Sequence, residues 1–303
     1  MGDIKLFRVD QTGVAELPGH SVAVEKSLQE LIERNLEVFL GVRLLSSEHS
    51  TGKTHAGRID TLGLDENNCP VIIEYKRATN ENVINQGLFY LDWLLDHKAE
   101  FTLLAMQKLG SEIQAKIDWS SPRLLCIAGN YTKYDEHAVQ QINRNIELFR
   151  YQKHEGFLVL ELVNATTGSP DPGEFTTPSV PKVGAYKTVT QYYEQTSSDL
   201  RNLFDSLDAY LLALGDDVTK KTLKLYFAFR RIKNFACVEI RPQMKHLLVF
   251  VKVDPQSIAL EEGFTRDVSS IGHFGTGDLE ITIASSDDFE KAKSLLLTSY
   301  ESA

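Results

Sequence analysis

The chain has 303 residues, 42% of them hydrophobic and 24% charged, enough for two ordinary domains with real cores. Its net charge of −10 does not favour nucleic-acid binding by the chain as a whole, so any such binding must use local patches. Three widely separated cysteines (Cys69, Cys126, Cys237) argue against a disulfide framework or a CxxC zinc site. With no signal-peptide core and no apolar run near the ~18 residues of a membrane span, the expectation is a cytoplasmic protein with no membrane role.

In chain order, residues 4–9 predict a strand. Residues 22–39 predict a helix with Leu28, Leu31, Ile32, Leu36 and Phe39 on one side. Two strands at 58–64 and 70–76, joined by the turn-rich DENN, predict a β-hairpin. A helix over 81–97, a buried strand at 123–129, a helix over 135–150 and a strand at 156–163 complete an α-β-β-α-β-α-β order around one sheet. Four of the nine prolines fall in 164–186, which reads as a linker. Beyond it, a helix over 197–214, the strands ACVEIRP and HLLVFVKV, a loop carrying Arg266, Asp267 and IGHFGTGD, a strand at 279–284 and a closing helix predict an α+β domain. The expected organisation is an α/β domain over 1–163, a linker over 164–186 and a smaller α+β domain over 187–303.

The chemistry concentrates between Gly57 and Tyr90. A hairpin symmetric about Asn67 sets Asp60 opposite Glu74, with Cβ atoms ~5 Å apart. Two carboxylates there repel unless a cation sits between them, and a hard divalent ion such as Mg²⁺ (or Mn²⁺) suits oxygen ligands and keeps waters for exchange with phosphate. A one-residue slip in register would separate the pair. Glu74 and Lys76 share a strand face with Ile72, while Val71 and Ile73 point to the expected core. In that setting Lys76 can orient or help deprotonate an attacking water and offset charge growing on phosphorus. Gln86 and Tyr90, four apart on the next helix, share one face; Gln can hold a water or phosphate oxygen, and Tyr can stack on a base or donate to phosphate. The bland alternative is an exposed hairpin end with Tyr90 in the core and Gln86 solvated.

Asp60, thirteen intervening residues and then Glu74-Tyr75-Lys76 resemble the D…ExK signature of the PD-(D/E)XK nuclease superfamily. Gln86 and Tyr90 match the QxxxY element of its RecB-like branch. EKSLQELIERN, GRIDTLG and VIIEYKR are similar to the helix, first strand and second strand of NucS-type endonuclease cores. The resemblance covers about residues 20–163. It implies a restriction-endonuclease-like fold, a mixed central sheet flanked by helices, and Glu25 as an auxiliary helix acid, with Glu30 and Glu33 as weaker, solvated alternatives. Arg58 and Arg77 beside the signature are candidate nucleic-acid contacts. Ile59 stands where the superfamily name has proline, and with only about twenty residues ahead of the first helix, no counterpart of the N-terminal DNA-binding and dimerisation domain of NucS is expected. The second half resembles an uncharacterised domain that follows such cores in bacterial proteins, and distantly the YjbR type.

One basic segment stands out: Lys220, Lys221, Lys224, Arg230, Arg231, Lys233, Arg241 and Lys245 face only Glu239 in sequence. It is the first candidate for phosphate contact by charge, against a solvated face; Arg266 and His273 near glycines could grip a phosphate or base. SerThrGlyLysThr at 50–54 lacks the upstream glycine of a phosphate loop, and His49, His55 and His97 have no metal spacing. The resulting expectation is a divalent-metal-dependent nuclease with nucleic acid as partner, DNA favoured over RNA, and a homodimer if both strands are cut. The rival is a catalytically silent nucleic-acid-binding or assembly protein on the same fold.

Overall fold

The computed structural model describes residues 4–11, 13–20, 25–76, 83–166, 168 and 187–303. The chain divides into two compact units, Met1–Pro170 and Asp171–Ala303. Most of the expected linker, residues 169–186, lies outside the described residues.

In the first unit, β1 (Leu6–Asp10) and β2 (Gly13–Leu17) form a small two-stranded sheet. Next come α1 (Glu25–Arg34), α2 (Leu36–Leu40), β3 (Val42–Ser50), α3 (Gly52–His55), β4 (Arg58–Asp65) and β5 (Pro70–Lys76). Then follow α4 (Val83–Asp96), α5 (Lys98–Leu109), β6 (Arg123–Ala128), α6 (Lys133–Gln140), β7 (Asn145–His154) and β8 (Phe157–Ala165). The main sheet runs β3-β4-β5-β6-β7-β8. Its middle pairs β5–β6 and β6–β7 are parallel and its outer pairs antiparallel, so it is the mixed sheet expected. The parallel steps need crossovers, which α4 with α5 and then α6 provide. On one face α4 packs through Val83, Tyr90, Leu91 and Leu94 against Leu62, Ile72 and Leu124. On the other, Glu33 of α1 reaches Thr61.

Several elements differ from expectation. The helix over 22–39 breaks at Asn35 into α1 and α2, and Leu31 is exposed while Gln29 is buried. Residues 145–154 are not helical. The helix begins at Thr132, whose hydroxyl accepts the Asp135 N–H in a capping box, and ends at Gln140; NIELFRYQKH then forms a central strand, buried along most of its length. The strand β5 is core on both faces, so Ile72 is as buried as Val71 and Ile73. Asn164 and Ala165, inside the linker range expected from sequence, belong to β8.

The second unit is an α+β domain. Helices α7 (Val189–Gln195) and α8 (Ser198–Leu212) precede β9 (Thr219–Thr222), β10 (Phe227–Arg230), β11 (Asn234–Arg241), β12 (His246–Val251), β13 (Thr265–Asp267) and β14 (Leu279–Ile283), and α9 (Ser286–Glu301) closes it. The sheet order is β13-β14-β12-β11-β10-β9, with every pair antiparallel. Leu203, Phe204, Leu207 and Leu211 of α8 and Ala292 and Leu296 of α9 share its core with Val238, Ile240, Val249 and Ile281.

Candidate active site

The hairpin adopts the symmetric register. Thr61 pairs with Ile73, Leu62 with Ile72, Gly63 with Val71 and Leu64 with Pro70. The turn is fixed by Asp65, whose Oδ1 accepts the N–H groups of Asn67 and Cys69 at 2.8 and 2.9 Å. The next step along the register sets Asp60 opposite Glu74. There the backbone ladder gives way to side chains: Glu74 Oε1 accepts the Asp60 N–H at 3.2 Å, and Asp60 Oδ2 accepts the Tyr75 N–H at 3.0 Å. Each carboxylate occupies a hydrogen-bonding position of the opposite strand, which brings the two acids together.

Glu74 is wholly buried, and its second oxygen, Oε2, has no hydrogen-bond partner. Burial pushes its carboxyl up to about 9, and the Asp60 charge adds to the rise; the Asp60 N–H and Lys76 oppose it. A buried acid with an orphaned oxygen beside a second carboxylate is chemically compatible with a hard divalent cation. Among the described residues no cluster of three or more His, Cys, Asp or Glu side chains is arranged to hold a metal. Two carboxylates suit an ion that keeps several waters or phosphate oxygens.

Asp60 and Lys76 line an open cleft of about 680 Å³ together with Ser50, Gly52, Ala56, Gly57, Arg58, Gln86 and Tyr90. Spacing of four on α4 does put Gln86 and Tyr90 on one face, and Gln86 Nε2 lies 3.4 Å from the Tyr90 hydroxyl. Tyr90 is only 6% exposed, however, and its hydroxyl accepts the Arg58 N–H at 3.1 Å. Its ring lies so close to Gly57 that a Cβ there would come within 2.6 Å of it. Tyr90 is thus a brace for the start of β4, with its ring unavailable for stacking on a base. Gly57 is tied in turn to Thr51, whose hydroxyl accepts the Gly57 N–H at 2.9 Å.

Helix α1 adds residues that sequence reading missed or misjudged. Gln29, 3% exposed, donates to the Asp60 carbonyl at 2.9 Å and to Glu33 Oε1 at 3.0 Å. Glu33 Oε1 also accepts from the Thr61 hydroxyl at 2.5 Å, so Glu33 is engaged with β4 and not a freely solvated acid. Glu30 is exposed and pairs with Arg34. Glu25 opens α1, but its side chain lies outside the described residues, as does Arg77. Arg58 reaches the cleft rim and pairs with Glu48 at 2.5 Å. Glu48 also accepts from Lys26 at 2.8 Å, a bond that holds its carboxyl below the usual range. The only available signal for Gln29 was a polar residue beside the apolar stripe of α1.

The histidines that looked scattered come together. His97 stacks on Trp93 with ring centroids 4.8 Å apart, His49 lies 5.3 Å from the same ring, and His55 lies 5.6 Å from His97. They arrive from β3, α3 and the end of α4, a convergence that spacing in sequence does not show.

In the second unit the basic run is divided. Successive strand residues point to opposite faces, so Lys220 and Lys221 part company. Lys220 pairs with Asp208 at 2.5 Å over the ring of Phe227, whereas Lys221 and Arg230 are buried. Arg231 pairs with Asp217 at 2.7 Å and covers Tyr300, and Arg241 pairs with Glu239. Lys224 is exposed and Lys233 half-buried. Arg266 pairs across strands with Glu280 at 2.7 Å, while Asp267 caps Ser269. His273 stacks on Phe250 with centroids 4.3 Å apart and planes 4° from parallel. The loop beyond it presses on the sheet: at Gly277, with φ of +133°, a Cβ would lie 2.6 Å from the Val251 nitrogen.

No helix among the described residues is long and apolar enough to cross a membrane. A family model described as a domain of unknown function, DUF5655, matches residues 189–303. An uncharacterized protein of Haemophilus influenzae is 28% identical over 301 residues, covering 97% of this chain and 98% of that one. Among solved structures, the chain is similar to a repair endonuclease from Pyrococcus abyssi at 19% identity, 45% of this chain, 50% of that chain and a TM-score of 0.29. It is also similar to an EndoMS–dsDNA2 complex at 20% identity, 43% of this chain, 47% of that chain and a TM-score of 0.25. The match spans about half the length of each of those two structures.

Proposed function

We propose that the first unit is a divalent-metal-dependent nuclease that hydrolyses phosphodiester bonds, with DNA the favoured substrate. The observation that carries this reading is the reciprocal capping of β4 and β5 by the Asp60 and Glu74 carboxylates, with Lys76 on the same cleft. Asp60 and Glu74 would hold Mg²⁺ or Mn²⁺, which when bound would polarise the phosphate and lower the pKa of a coordinated water. Lys76 orients the attacking water and offsets the negative charge that grows on the phosphoryl oxygens. The water oxygen forms the new bond to phosphorus, the ester P–O bond breaks, and the leaving oxygen takes up a proton. Gln86 and Arg58 line the cleft; the Gln86 amide would hold a phosphate oxygen or water, and Arg58 would meet a neighbouring phosphate. Tyr90 and Gln29 act as positioning residues for β4.

Purified protein incubated with single- and double-stranded DNA and RNA, with Mg²⁺, Mn²⁺ or EDTA, tests the reading beside Glu74→Gln and Lys76→Ala. Metal-dependent cleavage that both substitutions abolish supports it and names the substrate. Metal-independent binding with no cleavage on any substrate would replace it with the binding-protein reading.

A further inference from the structure

With Tyr90 occupied as a brace, the aromatic surface next to the cleft is Phe89. It is 47% exposed, whereas Tyr90, Leu91, Trp93 and Leu94 around it on α4 are buried. Lone exposed apolar residues are ordinary, but this one is held on two sides. Its ring centroid lies 5.9 Å from that of Tyr90 and 5.3 Å from that of His55. Tyr90 and Ala56, the residue after His55, line the cleft that holds Asp60 and Lys76. His55 is itself backed by His97, and His97 by Trp93, so the exposed ring stands at the end of a packed row and is presented with little freedom.

We propose that Phe89, steadied by His55, is a stacking platform for an unpaired nucleobase next to the scissile phosphate, so that the substrate is single-stranded at that point. The inference rests on the nuclease reading for its phosphate site. A base inside a duplex keeps both faces stacked on its neighbours, whereas an unpaired base offers a face that any aromatic ring can take regardless of sequence.

The test uses the full-length protein, Phe89→Ala and Phe89→Trp, with circular dichroism to confirm folding. The probes are fluorescent single-stranded DNA oligonucleotides, intact or with one abasic position moved in single steps across the cleaved bond, and the matching duplex. Cleavage is followed with Mn²⁺, and binding by anisotropy in EDTA. The expected result is a roughly 5- to 100-fold loss of kcat/KM and affinity on the intact strand in Phe89→Ala, with recovery in Phe89→Trp. One abasic position should cost the wild type a similar factor and cost Phe89→Ala nothing further. If wild type cleaves but Phe89→Ala loses nothing, or loses equally on every abasic strand, the platform is overturned and the nuclease reading stands. If wild type shows the base-dependent binding pattern without cleavage, the nuclease reading fails and the platform survives as a binding feature. Absence of both binding and cleavage removes both.

Discussion

The Tyr90 hydroxyl accepts the backbone N–H of Arg58 at 3.1 Å, two residues before Asp60. A helix residue therefore fixes where a strand begins, and with it where the Asp60 carboxylate sits. Phe at position 90 would leave that N–H without its partner, a cost of about 1 kcal/mol in stability. The expected activity change is larger, about 10-fold or more in kcat with little change in KM, because a small displacement of a reacting group costs more than the bond itself. Gly57→Ala should be worse, since its Cβ would enter the Tyr90 ring. Steady-state kinetics beside urea denaturation separates the two effects; equal losses in stability and rate would count against the positioning role.

Glu74 is desolvated and has one oxygen without a partner, so it burdens the metal-free fold. Glu74→Gln should be at least as stable as wild type in EDTA at pH 8, by about 1–3 kcal/mol, while losing cleavage. Adding Mn²⁺ should raise the melting temperature of wild type and not that of the variant. Thermal melts with and without EDTA check both; a Glu74→Gln protein that gains as much from Mn²⁺ as wild type would remove Glu74 from the metal site.

Glu239 gives the second unit a pH dependence. Burial on β11 pushes its carboxyl up to about 7, against an ordinary value of 4.5; Glu280 adds to the rise while Arg241 opposes it. The folded form then binds the proton more tightly than the unfolded chain. Its contribution to stability is complete below about pH 4.5 and is lost as pH rises through about 7. The whole effect is about 3 kcal/mol. Urea midpoints between pH 4.5 and 8.5 should decline more steeply for wild type than for Glu239→Gln; parallel profiles would assign the slope elsewhere.

At the far end of the sheet, Arg123 lies buried between Glu147 at 2.8 Å and Asp65 at 3.0 Å. Those two acids keep it charged against the pull of burial. Arg123→Met leaves two carboxylates buried without their cation, and should cost about 3–5 kcal/mol by denaturation. Asp65 is five residues along β4 from Asp60, so the folded fraction should cleave normally.

The hairpin was legible because its turn and both its strands lie in one short stretch and agree on one register. The Asp60–Glu74 opposition followed from that symmetry, and Gln86–Tyr90 from the helical period. The strand β7 was not legible: INRNIELFR continues the helix it follows in composition, and only its place between β6 and β8 makes it a strand. Sequence left Tyr90 open between cleft and core, since Tyr90 and Phe89 are adjacent and both aromatic; the fold buries Tyr90 and leaves Phe89 exposed. The basic run misled in a simpler way. Lys220 and Lys221 are neighbours in sequence but point to opposite sides of β9, and Lys220 is engaged by Asp208.

Because the two acids replace ladder bonds, the same two carboxylates that close the end of the hairpin are the proposed cation ligands. Alanine at either position would remove a proposed ligand and a strand-end acceptor together, so its phenotype would mix chemistry with local unfolding. Asn at 60 and Gln at 74 keep an acceptor for the opposing N–H while giving up the anion. Comparing amide with alanine at each position therefore separates loss of the anion from loss of the strand-end acceptor, and any difference between them measures how far the sheet itself depends on that bond.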